Sequence, residues 1–221
     1  MIESNRKDLA ILILIGAKST RFGTEKSVLD LFGKPLILHQ IETLSHFDED
    51  VYLVANSEQQ VDMYYRQINF TRHIEFLIDS KELLDDKTLR TPMLGVYSGL
   101  KELNSLDFKK AFILSGDMPL IKAELIELMI KESKEYDCCL PKWENGFLEP
   151  LFAIYPVEKA YKRAETNLKN KIFSLDSLID KSWNTNYVSV ENKLKNFDEN
   201  LVSLINVNGP IDIEKLVKFY K

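Results

Sequence analysis

The segment GAKSTRFGTEK (Gly16 to Lys26) follows the apolar run LAILILI (Leu9 to Ile15) and gathers groups suited to an anion. Gly16 and Ala17 let backbone approach a ligand closely, Ser19 and Thr20 carry hydroxyls, and Arg21 and Lys26 supply charge. Such a set would cradle phosphate. An ordinary strand-to-helix connection with solvated cations would have the same composition. Spacing excludes two familiar phosphate loops: Gly16 to Gly23 lacks the GxGxxG of a dinucleotide fold, and GTEKS lacks the four-residue gap of a Walker A loop.

Two carboxylates occupy similar positions further on. Asp117 follows the apolar run AFILS through Gly116, and Pro119 ends its turn and starts a helix. There it could hold magnesium, which takes one or two carboxylates together with phosphate oxygens and water; it could equally be a turn or helix-capping residue. Asp79, after IEFLI, presents the same choice. His39, His46 and His73 have no metal-ligand spacing and are expected to be structural or surface residues. Trp143 and Trp183 are expected in the core, and the run KKAF (Lys109 to Phe112) at a solvated helix end.

The elements that must position these groups follow from periodicity. LAILILI is apolar without alternation, as in a strand covered on both faces, and similar runs recur at residues 51–55, 74–78 and 111–115. Helical spacing lies between and after them, at residues 34–47, 58–69, 93–104 and 122–134. This alternation predicts an α/β chain with βαβ crossovers and a doubly wound, mostly parallel sheet. Ligands of such sheets bind beyond the carboxyl ends of the strands. The second half predicts strands at 138–141, 148–155, 187–190 and 201–207, with helices at 157–168, 173–179 and 210–220. With no linker or repeat, residues 1–221 read as one domain with a C-terminal elaboration, its two parts falling at about 9–120 and 121–221.

The formal net charge of -5 is the wrong sign for a protein held on nucleic-acid phosphates. Cys138 and Cys139 are adjacent in an apolar segment and are expected as reduced core residues of a cytoplasmic protein. No apolar run approaches membrane-spanning length.

Taken together the segments resemble the molybdenum cofactor guanylyltransferase family. LIGAKSTRFGTEK is similar to its pattern L-A-G-G-x-S-x-R-M-G-x-D-K, with Gly16, Ser19, Arg21, Gly23 and Lys26 on matching positions. LFGKPLI (Leu31 to Ile37) resembles L-x-G-x-P-L, and PMLGVYSGL matches P-L-A-G-I-x-x-G-L at Pro92, Gly95, Gly99 and Leu100. GDMPLI resembles C-D-x-P-F-L, EPLFAIY (Glu149 to Tyr155) resembles P-L-F-A-L-Y, and NVNGPID (Asn206 to Asp212) resembles N-x-N-T-P-E-D. The chain departs from the pattern at Ala17, Phe22, Glu25, Thr91, Gly116 and Gly209.

The resemblance implies a three-layer, Rossmann-like nucleotidyltransferase fold of the glycosyltransferase-A type. It implies transfer of GMP from GTP to the phosphate of molybdenum-bearing molybdopterin, with pyrophosphate released. On the matching positions, Asp117 would hold Mg2+, Arg21 and Lys26 would bind the triphosphate and stabilise developing charge, and Leu14, Ile15, Gly16, Ala17 and Ser19 would face GTP. Pro92 and Gly95 would line the same site, Asp79 would accept hydrogen bonds from the guanine edge, and Asn206 and Asn208 would contact the acceptor. Implied partners are GTP, the molybdopterin cofactor, and a molybdoenzyme apoprotein or insertion chaperone. A cytidylyltransferase of the same fold, another nucleotidyltransferase acting on a phosphorylated acceptor, and a non-catalytic cofactor carrier are the alternatives.

Overall fold

A computed structural model of the chain describes residues 7–16 and 29–219. The elements run β1 (Lys7–Leu14), a short hairpin of β2 (Asp30–Leu31) and β3 (Lys34–Pro35), α1 (Leu36–Leu44), β4 (Asp50–Ala55), α2 (Glu58–Gln67) and β5 (Glu75–Ile78). Then come α3 (Pro92–Ser105), β6 (Phe108–Ser115), α4 (Ala123–Glu132), β7 (Cys138–Lys142), β8 (Phe152–Pro156), α5 (Val157–Lys169), β9 (Thr185–Ser189) and α6 (Pro210–Phe219).

Seven strands form one sheet in the order β5-β4-β1-β6-β8-β7-β9, parallel except for β8. The chain winds outward from β1 to β5, then returns to place β6 on the other flank of β1. That reversal opens a crevice at the carboxyl ends of β1 and β6. The uninterrupted apolar run of β1 serves both faces: Ile11 and Ile13 pack with α1, α2 and α4, whereas Ala10 and Leu12 pack with α3 and α5. This is the expected three-layer, doubly wound, mostly parallel sheet. Gly99 lets α3 lie against β1, because a Cβ there would run into the Leu12 side chain. Cys138 and Cys139 are buried free thiols, and burial pushes each up to about 12.

Several expected elements differ. Lys109 and Lys110 belong to β6, not to a helix end; Lys109 pairs with Asp8 and Lys110 donates to the Ser133 carbonyl, so both stay solvated or bonded at the strand's start. The stretch 201–207 is no strand but a 3-10 turn at Val202–Leu204, entered through Leu201 at φ +50°. Its apolar residues are buried by packing, without sheet pairing. Residues 173–179 hold only one 3-10 turn, Leu175–Leu178, and β8 starts at Phe152 after a single bridge at Leu148. Pro119 does not start α4, which begins at Ala123. Among the described residues no helix is long and apolar enough to cross a membrane.

Candidate active site

The turns after β1, β4, β5 and β6 are held level by hydrogen bonds that continue the ladders. Ile15 N donates to Val54 O at 3.0 Å, Asp79 N to Ala55 O at 2.9 Å and Gly116 N to Leu14 O at 2.9 Å. Gly116 sits so close to β1 that a Cβ would approach the Leu14 carbonyl oxygen and Ile15 Cγ2 at 2.9 Å. That closeness places the Asp117 turn directly beside the start of the Gly16 loop.

Asp79 faces a cavity of about 300 Å3 bounded by Leu14, Gly16, Val54, Pro92, Gly95 and Leu151. Its Oδ1 is buried with no hydrogen-bond partner among the described residues. Burial pushes its carboxyl up to about 6, against the opposing pull of Lys81 and Arg90. Gly16 and Gly95 frame this carboxylate: Cβ atoms built there would lie 3.9 Å and 3.7 Å from its two oxygens. Thr91, which departs from the family pattern, has a local task, since its Oγ1 accepts from Met93 N at 3.4 Å and caps α3 at the cavity wall.

Asp117 is not a helix cap, because Lys122 occupies that place for α4. Its Oδ1 accepts a 2.6 Å bond from the Ser115 hydroxyl, and its carbonyl accepts from Val207 N at 2.8 Å. The latter bond draws Asn206 and Asn208 to the Asp117 turn from more than eighty residues away. Behind that segment, Ser203 Oγ accepts from Lys122 N at 3.0 Å, and buried Asp198 accepts from Ser203 N at 2.8 Å. Lys122 Nζ lies 3.1 Å from Asp198 Oδ1, close enough for an ion pair though not aligned as a hydrogen bond. Asp212 Oδ2 accepts from the backbone of both Asn208 and Gly209, capping α6.

Two buried glutamines hold the rim and were not singled out from sequence. Gln40 Nε2 donates to the carbonyls of Ser115 at 2.7 Å and Met118 at 2.6 Å, bracketing Asp117. Gln60 Nε2 donates to Ile15 O at 2.9 Å while its Oε1 accepts from Asn56 N at 2.7 Å; Asn56 Nδ2 reaches Gly16 O at 3.3 Å. The available signal was an amide on the apolar face of each helix, Gln40 beside Ile37 and Ile41, and Gln60 one turn before Tyr64.

On the far side of β6 the rim continues through Leu151, whose carbonyl accepts from Ser115 N at 3.1 Å. Trp143, expected in the core, is only partly buried and donates its Nε1 to Glu149 Oε1 at 2.7 Å. Of the histidines, His39 is buried against Leu31 O at 2.7 Å and His73 is exposed.

The structure thus brings Leu14, Ile15, Gly16, Asp79, Pro92 and Gly95 to one side of the crevice, with Asp117, Asn206 and Asn208 beside it. Ala17, Ser19, Arg21 and Lys26 lie outside the described residues. Among the described residues no three His, Cys, Asp or Glu side chains converge on a metal position. The carboxylate of Asp117 nonetheless fits a small hard cation that takes its other ligands from phosphate and water.

Comparison with known proteins agrees with this fold. Residues 11–181 match the MobA-like NTP transferase domain. A probable molybdenum cofactor guanylyltransferase of Natranaerobius thermophilus is 33% identical over 214 residues, covering 96% of both chains. One from Thermococcus gammatolerans is 33% identical over 214 residues, covering 93% of this chain and 97% of the relative. The crystal structure of molybdopterin-guanine dinucleotide biosynthesis protein A from Archaeoglobus fulgidus superposes with a TM-score of 0.76 at 26% identity, covering 96% of this chain and 98% of that one. Sequence and fold therefore converge, and the chain belongs to the MobA-like NTP transferase family of nucleotidyltransferases, beside the molybdenum cofactor guanylyltransferases.

Proposed function

We propose that the protein transfers GMP from GTP to the phosphate of molybdenum-bearing molybdopterin, forming the guanine dinucleotide and releasing pyrophosphate. The observation that carries the nucleotide choice is Asp79, a half-buried carboxylate whose buried Oδ1 has no hydrogen-bond partner among the described residues, at the wall of a cavity of about 300 Å3. A carboxylate there accepts from guanine N1–H and the 2-amino group together, a donor pair that adenine and cytosine lack.

The attacking phosphate monoester is already largely ionised near neutral pH, so no general base is required. Catalysis becomes alignment of two polyanions and stabilisation of charge at the α-phosphorus. Leu14 and Gly16 line the nucleotide cavity, Pro92 and Gly95 close its wall, and Ile15, Ala17 and Ser19 complete the GTP-facing set. Arg21 and Lys26 hold the triphosphate and stabilise the leaving pyrophosphate. Asp117 would bind Mg2+, with Asn206 and Asn208 contributing on the acceptor side; the ion would supply Lewis-acid stabilisation of the phosphate oxygens. Gln40 keeps the Asp117 turn in place, and the Val207 bond keeps the acceptor-side asparagines beside it.

Residues 9–120 act as the nucleotide-binding part and 121–221 as the acceptor-binding part of one domain. The buried, reduced cysteines suit a cytoplasmic setting, where the product passes to a molybdoenzyme apoprotein or an insertion chaperone.

A thermal-shift series with magnesium and each of GTP, CTP, ATP and UTP tests the nucleotide choice. GTP is expected to raise the melting temperature most. A larger shift with CTP would make the protein a cytidylyltransferase instead.

A further inference from the structure

The rim holds a second half-buried carboxylate that the reaction described above does not use. Glu149 lies in the connection between β7 and β8, its backbone fixed by bonds from Glu149 N to Pro141 O at 3.1 Å and from Phe152 N to Glu149 O at 3.0 Å. Trp143 Nε1 donates to its Oε1 at 2.7 Å and sets its orientation. No ion pair compensates it among the described residues, and burial raises its carboxyl above the usual glutamate range despite the tryptophan bond. Two residues along, Leu151 bonds to Ser115 and lines the Asp79 cavity.

Sheet order gives this position its meaning. Asp117 follows β6, Asp79 follows a strand on one flank, and Glu149 lies in the connection between β7 and β8 on the other. Its backbone bond to Pro141 ties Glu149 to β7, two strands from β6 and roughly 10 Å across the sheet, on the flank opposite the strand that Asp79 follows. A product with a heterocycle at each end and phosphates between them needs that layout.

We propose that Glu149 recognises the pterin of the acceptor, accepting hydrogen bonds from its ring N–H and its 2-amino group. This rests on the reading that the acceptor is a molybdopterin phosphate. A pterin presents the same 2-amino-4-oxo edge as guanine, so the same side-chain chemistry serves both ends of the dinucleotide. Among the described residues, Glu149 Oε2 and the second lone pair of Oε1 remain to take two parallel donors. If the residue only had to satisfy Trp143, a glutamine carbonyl would do so without the cost of a half-buried charge. Phe147, 72% exposed at the tip of the same hairpin, offers a ring face to an aromatic ligand.

Glu149→Gln is the discriminating variant, because its carbonyl still accepts from Trp143 while its amine opposes the pterin donors. With GTP and loaded molybdopterin, the KM for the acceptor should rise roughly tenfold or more, while the KM for GTP stays within about twofold. An unchanged acceptor KM, or equal rises in both, overturns the assignment. A second arm needs no turnover: fluorescence titration of wild-type protein with 6-hydroxymethylpterin and with lumazine, which has an oxo group in place of the 2-amine. Preference for the pterin that disappears in Glu149→Gln supports the proposal even in a protein that fails to use GTP, whereas equal binding of both probes by wild type refutes it.

Discussion

Asp79 and Asp117 both follow sheet strands at the same rim, yet the fold treats them in opposite ways. Asp117 is tied down: its carboxylate accepts from Ser115, its carbonyl from Val207, and Gln40 clamps the carbonyls on either side of it. Asp79 is left wanting among the described residues, with a buried oxygen that none of them partners and its carboxyl pushed up to about 6. A group meant to hold charge at a reacting phosphate must be fixed before substrate arrives. A group meant to select a base gains most when its hydrogen bonds are completed by the ligand, since an analogue without those donors leaves it buried and unsatisfied.

The largest effect should come from the fixed group. Asp117→Asn is expected to lower kcat by roughly a thousandfold with little change in melting temperature; near-normal turnover would remove it from the chemistry. Gln40→Leu strips the donor from two carbonyls bracketing Asp117, so kcat should fall roughly tenfold to a hundredfold through misplacement. Thermal unfolding should also report about 2 to 4 kcal/mol of lost stability from the two unsatisfied groups. Full activity in this variant would show that the Asp117 turn holds itself.

Asp79→Asn should separate the two carboxylates by sign. Its folded pKa of about 6 lies above the ordinary aspartate value of 3.8, so the folded state keeps a proton that the unfolded chain has released. Stability from this group is therefore complete at low pH and declines as pH rises from about 4 through about 6. Above that, the ionised carboxylate lowers stability by up to about 3 kcal/mol. At pH 7.5 the ligand-free Asp79→Asn variant should melt higher than wild type while binding GTP roughly tenfold or more weakly. In wild type, kcat/KM for GTP should fall as pH drops through about 6, where the acceptor oxygens become protonated. A variant that melts lower and keeps its GTP affinity would make Asp79 structural. The smallest change, Gly99→Ala, tests the scaffold beneath both groups: a methyl against Leu12 should cost about 1 to 3 kcal/mol in denaturant unfolding without altering nucleotide preference.

The same contrast explains what the sequence revealed. Parallel strands buried on both faces are unbroken apolar runs, so β1, β4 and β6 stand out, and the half-buried edge strand β5 is marked by its short apolar run; the residues just after β1, β5 and β6 become Gly16, Asp79 and Asp117. Gln40 has no such local mark. Its partners Ser115 and Met118 lie 75 and 78 residues away, and only the crossover through α1 brings them together. The apolar run at 201–207 misled in the other direction, because it is buried by packing behind the Asp117 turn and needs no sheet to satisfy it. Trp143 looked like core for the same reason, its size and hydrophobicity saying nothing of the Glu149 carboxylate that its indole N–H meets.

The proposed selection of guanine by the Asp79 cavity, for transfer onto a molybdopterin phosphate, can be read in one competition. Wild-type protein should be supplied with loaded molybdopterin, magnesium and an equimolar mixture of GTP, CTP, ATP and UTP, and the dinucleotide product identified by mass. The guanine dinucleotide should dominate in wild type and lose that dominance in Asp79→Asn. A cytosine dinucleotide from wild type, or a guanine product unaffected by the substitution, would contradict the account.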